Sequence, residues 1–101
     1  MSVNGGYTIL DLSGVVWTGT YPDVSGKLKN GTYESIKATI DSGKAILISG
    51  ATGIDAWNFN NAFASSVGIS GTTLYVSWLA GPAYVNFAIT PDESITYEYV
   101  D

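Results

Sequence analysis

The chain has 101 residues, with nine acidic and four basic side chains, and its formal net charge at pH 7 is −5. It contains no cysteine and no histidine, which excludes disulfides, thiolate or imidazole metal sites, and catalysis by either side chain. Arginine is also absent, so phosphate recognition would depend on four lysines alone. A chain of this length is typical of one core, and we expect a single small domain over residues 1–101.

The charges are divided unevenly along the chain. Residues 1–50 carry four lysines and four carboxylates, whereas the five charged residues after Gly50 are all acidic. An acidic half of this kind repels nucleic-acid phosphates and anionic lipids, so neither is expected as a partner. Residues 1–4 lack the charged start of a signal peptide, and no apolar run reaches the length of a membrane span. We therefore expect no membrane insertion.

The chain begins with short predicted strands. Residues 7–12 (YTILDL) form the first strand, a Ser-Gly turn ends it, and residues 15–17 (VVW) continue after that turn. Lys27 and Lys29 then flank Leu28 in an extended segment. Because charged side chains discourage pairing with another chain, this pattern predicts a short edge strand.

A short helix is predicted over residues 32–42. Thr32 is the expected N-cap, and the Glu34 carboxylate lies in the first turn, where it suits the positive end of the helix. Gly43 should end the helix in the left-handed conformation. Three apolar residues share one helical face through their spacing of three and four, namely Tyr33, Ile36 and Ile40.

The segment after the helix contains two further predicted strands. Residues 45–48 (AILI) form an uninterrupted apolar run, which is typical of a central strand covered on both faces. Residues 56–64 alternate and predict a half-buried strand, whose apolar side consists of Trp57, Phe59 and Phe63. Residues 65–71 have the composition of a turn, although Val67 and Ile69 would also fit a strand.

The last part of the chain predicts three strands, at residues 72–79, 84–89 and 95–100. The connections between them are too short for crossovers, so the three strands should form an antiparallel meander. The predicted fold class is therefore α+β, a small β-rich domain. We expect a mainly antiparallel sheet of about six or seven strands, with the short helix of residues 32–42 packed on it.

Carboxylates are the remaining candidates for catalysis. A pair of carboxyl groups can serve as acid and base, and Asp92 and Glu93 are adjacent in a Pro-Asp-Glu-Ser turn. Adjacent side chains in such a turn diverge, so we interpret them as turn-forming residues. An enzyme would need two members of a wider set to share a cleft, namely Asp11, Asp23, Asp55, Asp92 and Glu93. We expect no catalytic residue, no cofactor and no metal site.

Aromatic residues are abundant, with three tryptophans and seven tyrosines. One interpretation is that the core contains Trp57, Trp78, Phe59 and Phe87. The other is that some aromatic rings form an exposed patch that contacts another subunit, a receptor or a sugar. Five residues are the candidates for self-association or receptor contact under the second interpretation, namely Trp17, Tyr21, Trp57, Trp78 and Tyr84.

Three phrases of the sequence carry a resemblance. Residues 5–14 begin with GGY and end in LDLSG, residues 31–36 read GTYESI, and residues 42–50 read SGKAILISG. With the aromatic strands and acidic end that follow, this order resembles the small β-rich domains of bacteriophage virion appendages, such as head fibres and tail or baseplate appendages. Those domains are poor in lysine or arginine, free of cysteine, and commonly trimeric. The resemblance transfers no particular contact residue.

The resemblance implies a non-enzymatic structural or host-attachment role at the virion surface. The expected partners are further copies of the chain, with a trimer favoured, other virion proteins, and a host-surface glycan or protein. Two alternatives from other classes remain open. One is a carbohydrate-binding module that uses exposed aromatic rings, and the other is an enzyme that works through carboxylates.

Overall fold

The computed structural model describes residues 6–20, 23–50, 62–80 and 83–100. This part of the chain contains one helix and eight strands, which confirms the α+β class. The elements are β1 (Tyr7–Asp11), β2 (Val24–Lys27), α1 (Thr32–Ser42), β3 (Ala45–Ser49), β4 (Ala62–Phe63), β5 (Ser66–Ser70), β6 (Thr73–Ala80), β7 (Ala83–Ile89) and β8 (Ser94–Val100).

The strands form two sheets. One has three strands in the order β1-β3-β4, with β1 parallel to β3 and β4 antiparallel to β3. The other has five antiparallel strands in the order β2-β8-β7-β6-β5, and it contains the predicted meander of β6, β7 and β8. The parallel pair is possible because β2 and α1 lie between β1 and β3 and provide a long connection.

The chain passes directly from one sheet into the other after β4. The Ala64 amide donates to the Ile46 carbonyl of the three-stranded sheet, at 2.8 Å. The next amide, of Ser65, donates to the Ser77 carbonyl of the five-stranded sheet, at 2.7 Å. Two successive residues therefore join the two layers.

Helix α1 has the predicted bounds, but its N-terminus is capped differently from the prediction. Gly43 ends the helix with φ of +74°, as expected. Gly31 occupies the N-cap position, so the prediction of Thr32 was wrong. The Glu93 carboxylate accepts the amides of Gly31 and Tyr33, at 2.6 and 2.8 Å, and supplies the cap from a distant part of the sequence.

The hydrophobic core lies between the two sheets and the helix. The three-stranded sheet contributes Leu10, Ile46 and Ile48, and the helix contributes Tyr33 and Ile36. The five-stranded sheet contributes the largest group, which includes Leu74, Val76, Val85, Phe87, Ile89 and Ile95. The predicted inward set on β7 is confirmed, because Val85, Phe87 and Ile89 are fully buried.

Strand β3 is buried on one face more than on the other. Ile46 and Ile48 are fully buried, whereas Ala45 and Leu47 are half-buried. The predicted central position is confirmed, because β3 lies between β1 and β4, but the prediction of a strand covered on both faces holds for one face only. Within the described residues, the helix and the five-stranded sheet share the core with Ile46 and Ile48, and no element packs on the opposite face of β3.

Several predictions for the loops also change. Residues 66–70 form strand β5 rather than a turn. The alternative prediction, a strand that includes Val67 and Ile69, is therefore confirmed. Residues 15–17 are not part of a strand. The predicted edge strand is β2, which ends at Lys27, before Leu28 and Lys29. Of predicted strand 56–64, only residues 62–64 lie within the description, and β4 covers two of them.

No helix in the described ranges is both long and apolar enough to span a membrane.

Candidate functional site

Of the five aromatic residues that are candidates for self-association or receptor contact, the structure describes the side chains of two, Trp17 and Trp78. Trp17 and Trp78 are half-buried and pack against the core. The Trp17 ring meets the Tyr97 ring edge to face, with centroids 5.1 Å apart. The other three lie outside the described side chains, namely Tyr21, Trp57 and Tyr84. The structure thus assigns Trp17 and Trp78 a packing role.

Exposed apolar side chains gather on the outer surface of the three-stranded sheet. Leu10 turns into the core, so the period of two along β1 turns Tyr7 and Ile9 outward, where each is 50% exposed. The strand register places Ile9, Leu47 and Phe63 in one row across the three strands. We call the surface formed by Tyr7, Ile9, Leu47 and Phe63 the apolar face.

The rings of the apolar face contact each other. Tyr7 and Phe63 meet edge to face, with ring centroids 5.5 Å apart and an interplanar angle of 89°. Phe63 nevertheless remains 44% exposed. A contiguous set of exposed apolar side chains is typical of a surface that contacts another molecule.

A hollow of about 350 Å³ lies on the outer surface of the five-stranded sheet. The register places Ala88 of β7 between Tyr75 of β6 and Thr96 of β8, and the short alanine side chain leaves space between longer neighbours. Tyr75 is 42% exposed. We call this region the polar hollow, and its main lining residues are Asp23, Tyr75, Asn86, Ala88, Thr96 and Glu98.

The polar hollow offers ring, hydroxyl, amide and carboxylate groups on one surface. The Ser77 hydroxyl donates to Asn86 Oδ1 at 2.5 Å and orients that amide. The remaining polar groups include the Thr96 hydroxyl and the Glu98 and Asp23 carboxylates. This set of donors and acceptors beside an exposed ring suits a ligand rich in hydroxyl groups.

A second hollow, of about 390 Å³, lies beside β2 and is lined in part by Val16, Gly26 and Lys27. The Lys27 ammonium group is already engaged, because it donates to the Asp92 carbonyl at 2.7 Å and lies 3.7 Å from the Asp92 carboxylate. The other polar lining groups are serine and threonine hydroxyls. The lining residues of this hollow therefore offer few groups that could bind or react with a ligand.

The adjacent carboxylates Asp92 and Glu93 diverge, as predicted. Asp92 Oδ1 accepts the Thr90 hydroxyl at 2.6 Å and the Ser94 amide at 3.2 Å, within its own turn. Glu93 extends to the N-terminus of α1 instead. Each carboxylate thus accepts hydrogen bonds that hold the fold.

Two carboxylates are held in the ionised form by their hydrogen bonds. The Thr90 hydroxyl and the Ser94 amide lower the pKa of Asp92 from 3.8 to about 2. The Ser13 hydroxyl and amide, at 2.6 and 2.8 Å from Asp11, lower the pKa of that carboxyl group as well. Groups stabilised as anions in this way are poor proton donors near neutral pH.

The carboxylates proposed above as catalytic candidates are spread over the molecule. Asp11, Asp92 and Glu93 have the separate partners just described, Asp23 lines the polar hollow, and Asp55 lies outside the described residues. Within the described residues, no three aspartate or glutamate side chains are grouped closely enough to hold a metal ion.

Sequence reasoning missed both candidate surfaces. In β6, Leu74, Val76 and Trp78 lie on the inner side, so the alternation itself places Tyr75 outside. In β1, apolar residues occur on both sides of the strand, and this is the signal that could have revealed the apolar face.

Comparisons of the chain with protein-family models, with curated proteins and with solved structures find no match.

Proposed function

We propose that this chain is a non-enzymatic structural and attachment domain of a bacteriophage virion appendage, which associates with further copies of itself through the apolar face. The apolar face carries the proposal of self-association. The virion setting is supported by the resemblance of residues 5–14, 31–36 and 42–50 to such appendage domains.

The energetic argument for self-association rests on three half-exposed side chains. Tyr7, Ile9 and Phe63 are each between 44 and 50% exposed. Burial of the exposed part of each side chain contributes about 1 kcal/mol, so a contact between two copies gains several kcal/mol from these residues. Association costs about 4 kcal/mol or more in lost freedom of motion, so an oligomer held by these residues depends on protein concentration.

The expected assembly is a homo-oligomer, with a trimer favoured, located on the virion surface. Its further partners are other virion proteins and a host-surface glycan or protein. The composition supports a role without catalysis, since the chain lacks histidine, cysteine and arginine. Its acidic second half makes nucleic acid an unsuitable partner.

Light scattering over a range of protein concentrations tests this proposal. Ile9→Lys places a charge at the centre of the apolar face and should shift the protein toward monomer. Val16→Lys is the matched control, because Val16 is 75% exposed and lies beside β2 of the other sheet. A wild-type chain that stays monomeric, or an Ile9→Lys variant that associates like wild type, would contradict the proposal.

The attachment role has a test of its own. Fluorescently labelled wild-type protein should bind intact host bacteria in a saturable manner, and Ile9→Lys should bind more weakly because a monomer loses multivalent contact. Equal binding by the two proteins would show that attachment does not depend on self-association through the apolar face.

A carbohydrate-binding module is the second candidate, and the polar hollow favours it. The platform would be Tyr75, flanked by Asn86 and Glu98, rather than Trp17 or Trp78, which pack against the core. On a glycan array, binders of the wild-type protein should be lost in Tyr75→Ala. Tyr7→Ala removes a tyrosine of similar exposure elsewhere and should retain them. An array without binders would eliminate this candidate.

A further inference from the structure

Strand β5 is the edge of the five-stranded sheet opposite β2. Within the described residues, β6 pairs with one side of β5 and no strand pairs with the other side. Natural edge strands are commonly protected by charges, by proline or by a covering segment. Residues 62–80 contain no charged residue and no proline.

The opposite edge of the same sheet is protected in two ways. Strand β2 carries Lys27. It is also covered by a bridge in which Thr18 and Ser25 exchange backbone hydrogen bonds of 2.8 and 2.9 Å. The contrast between the two edges suggests that β5 is available for pairing.

The strand register identifies which backbone groups of β5 point away from the sheet. Ser70 pairs with Thr73 around a two-residue turn, in which Gly71 has φ of +62°. Residues that flank such a turn exchange both hydrogen bonds, and the pattern then alternates along the strand. Ser66, Gly68 and Ser70 therefore bond to β6, and the amides and carbonyls of Val67 and Ile69 point outward.

The start of β5 is irregular, and this fixes where a new strand could add. The Ser65 amide donates to the Ser77 carbonyl, although Ser66 is the residue in register with Ser77. Such a doubling is a bulge, which limits regular pairing to the part of β5 that follows it. The available segment is centred on Gly68.

The sequence of β5 is symmetric about its centre, since Ser66, Val67, Gly68, Ile69 and Ser70 read as polar, β-branched, glycine, β-branched, polar. We propose that β5 pairs antiparallel with β5 of a second copy of this chain, across a two-fold axis at Gly68. The five-stranded sheet then continues through the axis as a sheet of ten strands.

The pairing satisfies both the backbone and the side chains. Val67 stands opposite Ile69 of the second copy, and since both direct their amides and carbonyls outward, the two such pairs form four hydrogen bonds. Val67 and Ile69 are in register with the buried Val76 and Leu74, yet they are 42 and 38% exposed. A second β5 would cover them and extend the core.

The contact also suits the charge of the chain. Each copy carries a net charge of −5, which opposes association. Residues 56–91 contain no charged side chain, so the two paired β5 strands bring no carboxylates of their own face to face. At the axis, Gly68 faces Gly68 of the second copy, where the absence of side chains allows close approach of the backbones.

This inference adds a second contact to the proposed self-association and uses a different surface from the apolar face. A two-fold contact at β5 produces dimers, or hexamers if it joins two trimers. A closed trimer that associates no further would contradict the β5 contact.

A single engineered cysteine tests the axis directly, because the chain has no cysteine of its own. Gly68→Cys is compatible with the fold, since an added Cβ meets nothing within 4 Å. Opposed residues at a position without direct hydrogen bonds have Cα atoms about 4.5 Å apart, which suits a disulfide. Val16→Cys is the control, because it is more exposed and lies away from β5.

Under mild oxidation at micromolar protein, Gly68→Cys should form a covalent dimer on the order of tenfold or more faster than Val16→Cys, because the contact raises the effective thiol concentration. Val67→Pro removes an outward amide that β6 does not use, so it should abolish fast cross-linking while the fold is retained. Circular dichroism checks that retention. Equal rates for the two cysteine variants, or unchanged rates with Val67→Pro, would overturn the proposal.

Ile9→Lys in the Gly68→Cys background separates this inference from the proposed function. Rapid cross-linking that persists with Ile9→Lys supports the β5 contact and removes the apolar face as its cause. Suppose instead that Ile9→Lys abolishes association and that the single variant Gly68→Cys does not cross-link. This result supports the apolar face as the contact and contradicts pairing at β5.

Discussion

Glu93 connects three parts of the chain that are distant in sequence. Its carboxylate caps α1 through the amides of Gly31 and Tyr33, and its carbonyl accepts the Leu28 amide at 2.8 Å. It has φ of +66° and is the only non-glycine residue in the described ranges with a positive φ. The left-handed conformation costs about 1 kcal/mol for a residue with a side chain, so its capping contacts offset local strain.

Removal of this cap should destabilise the protein. We expect Glu93→Ala to lower the free energy of unfolding by about 1 to 2 kcal/mol, because two helix amides lose their acceptor. Glu93→Gly should cost less, since glycine adopts the left-handed conformation without strain. Urea denaturation measures both changes. Glu98→Ala, at an exposed strand position, is the control, and a loss as large as that of Glu93→Ala would contradict a specific capping effect.

Asp92 makes stability depend on pH in the acidic range. Its pKa in the folded protein is about 2, below its ordinary value of 3.8. As pH falls, the unfolded chain therefore takes up the proton first, so the stabilisation is complete above pH 3.8 and is lost as pH falls toward about 2. Asp11 acts in the same direction.

The variant Asp92→Asn tests this dependence. We expect wild type to be more stable than Asp92→Asn at about pH 5, and the difference to shrink as the pH approaches 2, because asparagine does not titrate. Chemical denaturation at a series of pH values gives the difference directly. A gap that remains constant over this range would show that the Asp92 carboxylate contributes nothing through its ionisation.

At the scale of elements, α1 is held to the three-stranded sheet by a polar contact within an apolar interface. The Thr39 side chain is buried and its hydroxyl lies 2.7 Å from the Thr8 hydroxyl. Thr39 is the donor between the two threonines, and its hydroxyl is also within hydrogen-bond distance of the Ser35 carbonyl, at 2.8 Å. This pair fixes how far α1 can slide along β1.

Thr39→Val should lower the free energy of unfolding by about 1 kcal/mol, because the Thr8 hydroxyl loses its hydrogen-bond partner. The double variant Thr8→Val/Thr39→Val should cost less than the sum of the two single changes, and a double-mutant cycle measures the coupling. Thr96→Val, at an exposed strand position, provides the same chemical change without a buried partner. Strict additivity of Thr8→Val and Thr39→Val would contradict the coupling.

At the scale of the whole molecule, the two surfaces proposed to contact further copies consist of uncharged residues. The apolar face contains no charged residue among its four members, and β5 lies within the charge-free residues 56–91. The net charge of −5 nevertheless acts between whole molecules. The proposed association therefore requires local apolar and backbone contacts that act against a general repulsion.

Salt should consequently strengthen self-association. Raising the ionic strength from about 0.01 to 0.1 M shortens the Debye length from about 30 to 10 Å, which screens the repulsion between two negative molecules. Sedimentation equilibrium at the two salt concentrations should show a tighter oligomer at the higher one. An oligomer that weakens with salt would indicate that charge pairs, rather than apolar and backbone contacts, hold the copies together.

The sequence by itself determined the helix at residues 32–42, the meander of β6 to β8 and the inward set of β7, because local signals specify each of them. Capping glycine and the spacing of apolar residues act within a few positions of the chain. It also excluded histidine and cysteine chemistry outright. These properties follow from composition and from short-range periodicity.

Only the tertiary structure decided which surfaces are available. The cap from Glu93 to α1 spans more than 60 residues, and no local rule relates the two segments. Whether Trp78 or Tyr75 is exposed depends on which face of β6 meets the core. The division into two sheets depends on the path of the chain after β4. Exposure is a property of neighbours brought together by folding, so periodicity can show that a strand has two faces but not which of them remains uncovered.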